Sequence, residues 1–220
     1  MCSVCILCKR RQRDSGKTVF GCYRLRYRKL NAETPQESLD ALAVGDTVVL
    51  GKYDIDNNSE NGEEDITWKV LDIENGKALI ISELCIDATS YSTEKNDVTW
   101  ETSALRQKLN FGEESLYETV FADDEKAYIL LSEVANEDNA SHDVDGGNAT
   151  EDYLFALSID ETEKYFDSDD ARIAKASAEE IIWTVLSKNV LYYGAVDNAG
   201  KLVKNDYVGV RPVITVDLTK

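Results

Sequence analysis

Two alternating apolar runs joined by Asn75-Gly76 constrain this chain more than any other stretch. In Ile66-Thr-Trp-Lys-Val-Leu-Asp-Ile73, Ile66, Trp68 and Val70 fall on one side of a strand, and Ala78 to Ser82 supplies the returning strand. A two-residue Asn-Gly link matches the type I′ turn, whose twist agrees with that of the strands it joins. The pattern therefore predicts a hairpin with one buried face. Thr47 to Tyr53, β-branched and alternating, is expected to be a further strand.

A different period follows. In TWETSALRQKLNFGEESLYETVFADDEKAYILL, residues 99–131, Trp100 and Ala104, Leu105 and Leu109, and Leu116 and Val120 are i,i+4 pairs that a helix stacks on one face. Two short helices are expected, parted at Asn110-Phe111-Gly112, with Glu101, Arg106, Gln107, Lys108 and Asn110 free to face water. Acids at Asp123, Asp124 and Glu125 suit the start of the next helical turn. Beyond these, Tyr153 to Leu157 reads as a buried strand, and Ser158-Ile-Asp-Glu161 is a capping box opening a helix to about Phe166. Asp169 to Glu180 is helix-compatible, with Ser177-Ala-Glu-Glu180 as a further cap. Strands are expected over 181–186, 190–196 and 207–218, with a turn at 197–200. Hairpins with helices inserted between them give an α+β class.

Charge divides the chain. Residues 1–30 hold nine Lys/Arg against Asp14 alone, while the remaining residues hold 15 bases against 41 acids. So sharp a reversal marks a boundary. The reading is a basic, cysteine-containing leader over 1–30 without apolar periodicity, a linker over 31–43 containing Pro35, and an acidic domain over 44–220. The domain's negative field opposes nucleic-acid phosphates. No run approaches the roughly 20 apolar residues of a membrane span. Val4-Cys5-Ile6-Leu7 is too short for a signal core and precedes the basic residues, so the chain as written reads as cytoplasmic. A start lying further upstream would change that reading to the cell surface.

Cys2, Cys5 and Cys8 form a C-x2-C-x2-C run, and Cys22 supplies a fourth thiol. Four thiolates are enough for zinc or an iron–sulfur cluster, but the second half lacks its own C-x2-C pair, and without apolar periodicity a flexible or misassigned leader is the expected reading. Cys85, between Leu84 and Ile86, reads as an inert core thiol. In the polar loop Asp54 to Asp65, taking Asp56 as a first calcium ligand puts Asn61 where the helix–loop–helix pattern requires glycine, which favours a solvated hairpin loop. Around Gly146-Gly147, Asp143, Asp145, Asn148 and Asp152 could offer oxygens to calcium or serve an ordinary loop. His142, the single histidine, excludes a multi-histidine metal centre. No cofactor is required by these residues. Calcium and zinc are the candidate ions.

Taken together, IxWKVLDIENGKALIISELCIDATSY, TWETSALRQKLN, F-x-x-x-EKAYI, GGNATEDYLFALSIDETEKYF and the terminal GVRPVITVDL resemble a bacterial family of domains of unknown function common in gut Firmicutes. The resemblance runs from Val44 to Leu218. It implies a C-type-lectin-like fold akin to formylglycine-generating enzymes, with small antiparallel sheets, two or three helices and long loops. Trp68, Asn75, Gly76, Trp100, Leu105, Arg106, Leu109, Arg211 and Pro212 match it as structural positions. The family's Trp-Trp-Leu-Arg-Ser-Pro-Gly signature is echoed by Trp183, Leu186 and Ser187, and its Arg-Ser-Pro-Gly portion is absent.

Two functions follow as expectations. In a binding module for a protein or carbohydrate surface, Trp183, Tyr192, Tyr193 and Tyr207 would supply amphipathic contact area. Adjacent Tyr192 and Tyr193 point to opposite faces of a strand, so only one of the two would be displayed. Arg211, set in an apolar strand, requires a carboxylate or carbonyl partner, or else contacts a ligand. An enzyme of the formylglycine-generating type would need a reactive thiol, and the acidic domain has only Cys85. A non-catalytic role is therefore expected, with a degenerate structural domain as the third reading.

Overall fold

The computed structural model describes residues 39, 41–56, 58–89, 91–92, 98–138, 145–172, 174 and 209–220. The chain divides after Asn31, and all described residues belong to the second unit. The hairpin forms as expected. β2 (Glu64–Glu74) and β3 (Lys77–Ser82) pair antiparallel with Glu74 opposite Lys77. Asn75 at φ 52° and Gly76 at φ 75° give the left-handed backbone that the tight turn demands. β1 (Thr47–Tyr53) joins the free edge of β2. β9 (Val213–Asp217) joins β3, and β5 (Ile129–Leu130) closes the order β1-β2-β3-β9-β5. Two smaller pairs, β4 (Asp87–Ala88) with β8 (Gly209–Val210) and β6 (Ser132–Val134) with β7 (Thr150–Asp152), complete an α+β architecture.

Alternation and register place Val48, Ile66, Trp68, Val70, Ala78, Ile80, Ile214 and Val216 on one face, all nearly inaccessible. The Trp68 indole also donates from Nε1 to Leu50 O at 2.7 Å, so its burial leaves no polar atom unmet. Trp100, Leu105, Leu109, Leu116 and Val120 join the same core. Each such side chain contributes about 1.5–3 kcal/mol on burial. Leu39, within the stretch read as a linker, is also core at 1% exposure.

The 99–131 segment is more broken than its periodicity predicts. Trp100–Thr102 is a 3-10 turn. It is followed by α1 (Ala104–Asn110), α2 (Leu116–Val120) and α3 (Asp123–Lys126). The serines set the breaks: Ser103 Oγ accepts from Arg106 N and Ser115 Oγ from Glu118 N, so each caps a new helix. Gly51 fixes the approach of α2 to β1. Its φ is 76°, and a Cβ there would stand 2.7 Å from Val120 Cγ1 and 2.9 Å from Val120 O. Beside this contact the β1–β2 register shifts, and Glu125 bridges the segments by accepting from Gly51 N and Ala122 N, each at 2.9 Å.

Two expected strands are corrected. β7 ends at Asp152, and the apolar run Tyr153–Leu157 makes a single bridge, Phe155 with Val213. Its backbone is claimed elsewhere, by Asn110. The last strand breaks at Arg211-Pro212, because proline has no N–H to donate to a ladder, and Pro212 O instead accepts from Ser82 N. The capping box at Ser158 forms as predicted and opens α4 (Ile159–Tyr165). Then α5 spans Asp169–Arg172. With five short helices among the described residues, the expected two or three is too few. The predicted cap at Ser177, the helix beyond Ala174, the strands over 181–186 and 190–196 and the turn at 197–200 lie outside the described residues. The predicted terminal strand is described only from Gly209 onward.

Candidate functional site

The most developed surface is built where α1 and α2 meet residues 150–155. Asp152 stands at its base, its side chain wholly buried. Its Oδ2 accepts from Trp100 Nε1 at 2.8 Å and Thr150 Oγ1 at 2.7 Å, and its Oδ1 from Arg106 Nε at 2.7 Å. A carboxylate can be retained there because three donors replace its water. Arg106 also donates to Glu101 O at 3.1 Å, and its guanidinium lies 4.9 Å from the Phe111 ring centre. Asn110 works as a backbone clamp. Its Oδ1 accepts from Tyr153 N and Leu154 N at 2.9 Å, and its Nδ2 donates to Leu154 O at 2.8 Å. Arg106 and Asn110 therefore do not simply face water, as their off-stripe positions suggested. They stitch α1 to the returning chain.

This stitching presents Tyr153 to Tyr117, ring centres 4.0 Å apart and 6° from parallel. Tyr117 leans on Phe121 at 6.3 Å, and Phe121 stacks on core Trp68 at 5.9 Å, so an aromatic column runs from the sheet to the half-buried tyrosines. Phe111, 47% exposed, lies one residue beyond α1. Beside it an open hollow of about 440 Å³ is lined by Gly112, Glu113 and Glu118. Lys126 pairs with Glu118 at 2.5 Å and stands 5.4 Å from the Tyr117 ring centre. Burial first, then Tyr153 and Glu118, pushes the Tyr117 hydroxyl up to about 12, which keeps it a neutral donor and acceptor. The arrangement offers flat apolar faces with polar tips.

Arg211 behaves otherwise. At 9% exposure it donates from Nε to Ser82 O at 2.5 Å and from Nη1 to Arg172 O at 3.3 Å, with Phe166 5.7 Å from its guanidinium carbon. Burial lowers its pKa to about 10, which still leaves the guanidinium charged at neutral pH. Of the partners its position required, carbonyls and an aromatic face are present, and no carboxylate lies within ion-pair distance among the described residues.

Of the oxygen set around Gly146-Gly147, the described members Asp145, Asn148 and Asp152 each have a partner within the protein. Asp152 is committed inward. Asp145 Oδ1 accepts from Gly147 N at 2.8 Å, and Asn148 Nδ2 donates to Glu101 Oε2 at 2.9 Å. Asp143 and His142 lie outside the described residues, as do Trp183, Tyr192, Tyr193, Tyr207, Cys2, Cys5, Cys8 and Cys22. Instead Asp54, Asp56 and Glu64 bring carboxylate oxygens within 4.8 Å of one another. Backbone groups already use them: Asn58 N donates to Asp54 and Asp56, and Ile55 N to Glu64, each at 2.9 Å. Cys85 is buried at 1% exposure, as expected of a core thiol. Among the described residues no helix is long and apolar enough to cross a membrane.

Sequence reasoning missed Phe111, Tyr117 and Tyr153 as a surface. Tyr117 interrupts an apolar stripe and Tyr153 opens an apolar run, so both resemble core by pattern. The Asn110 clamp, spanning 43 residues, and the Arg106–Asp152 pair put them together.

Residues 75–218 match a family described as a domain of unknown function (DUF6273), and the chain belongs to that family. The match begins at Asn75 in the hairpin turn, so β1 and β2 precede it while sharing its sheet. No curated protein and no solved structure matches the chain.

Proposed function

We propose that this member of the DUF6273 family is a non-catalytic recognition module that takes a protein or carbohydrate surface against the ridge of Phe111, Tyr117 and Tyr153. One observation carries the reading: a parallel tyrosine pair is held at the surface by a buried ion pair and an amide clamp, beside an aromatic ring left 47% exposed. Pre-ordered aromatic faces cost little entropy on binding. The lectin-like kinship belongs to the same proposal, supported by short antiparallel pairs and helices strung between long connections. The catalytic alternative gains nothing from Cys85, which sits in the core at 1% exposure.

The test is retention of the tagged full chain on glycan and protein arrays. A defined ligand whose retention falls severalfold in Phe111→Ser and in Tyr153→Ala, with the circular dichroism spectrum preserved, is the expected result. Retention of no ligand on either array, or retention untouched by both substitutions, would remove the proposal.

A further inference from the structure

The sequence contains two Asn-Gly steps, Asn61-Gly62 and Asn75-Gly76, and the fold treats them differently. An asparagine followed by glycine is prone to one intramolecular reaction, because glycine has no Cβ to keep its backbone nitrogen from the preceding side chain. We infer that Asn61 is a site of self-modification, converting to aspartate and isoaspartate in the β1–β2 loop, while Asn75 is protected.

The Gly62 nitrogen, on losing its proton to solvent base, attacks Asn61 Cγ. A new N–Cγ bond closes a five-membered succinimide, and Nδ2 leaves as ammonia. Water then opens the ring at either carbonyl. One opening gives aspartate, and the other gives isoaspartate with an extra methylene in the backbone. Solvent water is the only co-reactant, and there is no change of oxidation state.

Ring closure requires rotation of the peptide until the glycine nitrogen faces Cγ. At Asn75 that rotation would dismantle the hairpin. Glu74 and Lys77 pair across the turn, Gly76 O accepts from Leu218 N at 2.8 Å, and even a Cβ at Gly76 would stand 2.5 Å from Thr219 Cγ2. At Asn61 little resists it. Both residues are exposed, no atom beyond the chain neighbours lies within 4 Å of a Cβ placed on Gly62, and Asn61 is held by Asn58 O at 3.1 Å and Asp56 Oδ2 at 2.9 Å. Such exposed bonds exchange readily with water. The product also changes the loop. Where Asn61 Nδ2 donated to Asp56, a carboxylate now faces a carboxylate, next to the Asp54, Asp56 and Glu64 oxygens.

The experiment is prolonged incubation of the folded full chain at mildly alkaline pH. Peptide mapping by mass spectrometry and isoaspartyl methyltransferase labelling follow, with a synthetic peptide of residues 58–65 as the rate reference. Labelling is expected in the fragment containing Asn61, at a rate approaching that of the peptide, and at Asn75 only after denaturation. Asn61→Gln is expected to lose the label at this position with the fold unchanged. Equal labelling of Asn61 and Asn75 in the native chain, or an intact Asn61 under conditions that convert the peptide, would overturn the inference.

Discussion

Replacing Asp152 by alanine tests the node on which the ridge rests. The carboxylate is fully buried and receives Trp100, Thr150 and Arg106, so its removal strands two neutral donors and one cation at once. Breaking a buried pair by deleting one partner costs about 3–5 kcal/mol. Arg106 retains 13% side-chain exposure and its bond to Glu101 O, so part of its charge can be rehydrated, which places the expected loss at about 3 kcal/mol. Asp152→Asn keeps the shape but turns one acceptor into a donor facing other donors, an effect of about 1–3 kcal/mol. Arg106→Met leaves an anion with only two neutral donors and should cost as much as Asp152→Ala. Urea unfolding followed by tryptophan fluorescence gives each value from the midpoint and slope. The double variant Arg106→Met with Asp152→Leu removes both charges and should cost clearly less than the sum of the singles. A loss under about 1 kcal/mol for Asp152→Ala, or strict additivity in the double variant, would refute the claim that the pair is an interdependent buried unit.

How far the fold could be read from the sequence depends on the range of the interaction that decides each part. The β2–β3 hairpin and the Ser158 cap are local: turn chemistry and a three-residue hydrogen-bond pattern specify them, and both form as predicted. Periodicity also placed Trp100, Leu105, Leu109, Leu116 and Val120 in the core correctly, although it ran the Trp100–Thr102 3-10 turn into the first helix. The failures are non-local. Residues 153–157 carry a strand pattern, but Asn110, 43 positions earlier, takes the backbone bonds of Tyr153 and Leu154. Arg106 and Asn110 lie off the apolar stripe and so read as solvated, because periodicity reports which residues are apolar and not which polar ones have distant partners. Asp152 looked like a cation ligand because acids cluster around it in sequence. Its actual partner is an arginine 46 residues away.

Two further predictions follow from the same geometry. Gly51→Ala would drive a Cβ into Val120 at 2.7 Å in a left-handed conformation, and a loss of about 1–3 kcal/mol is expected by urea unfolding, with β1 amides exchanging faster than β3 amides. An unchanged midpoint would show that α2 yields at no cost. At alkaline pH the tyrosines are the groups to watch. Tyr53 and Tyr117 are both raised to about 12, in each case chiefly by burial, while the unfolded chain ionises near the ordinary value of 10.0. Between those values the folded state holds protons that the unfolded state has released, so stability falls as pH rises from about 10 to 12 and is unaffected by these groups below that window. Phenolate absorbance should accordingly show a late-ionising set that moves to the ordinary range in urea. A single titration centred near pH 10 for all the tyrosines of the folded protein would mean that the Tyr117–Tyr153 stack is open to solvent, and the recognition ridge would lose its order along with it.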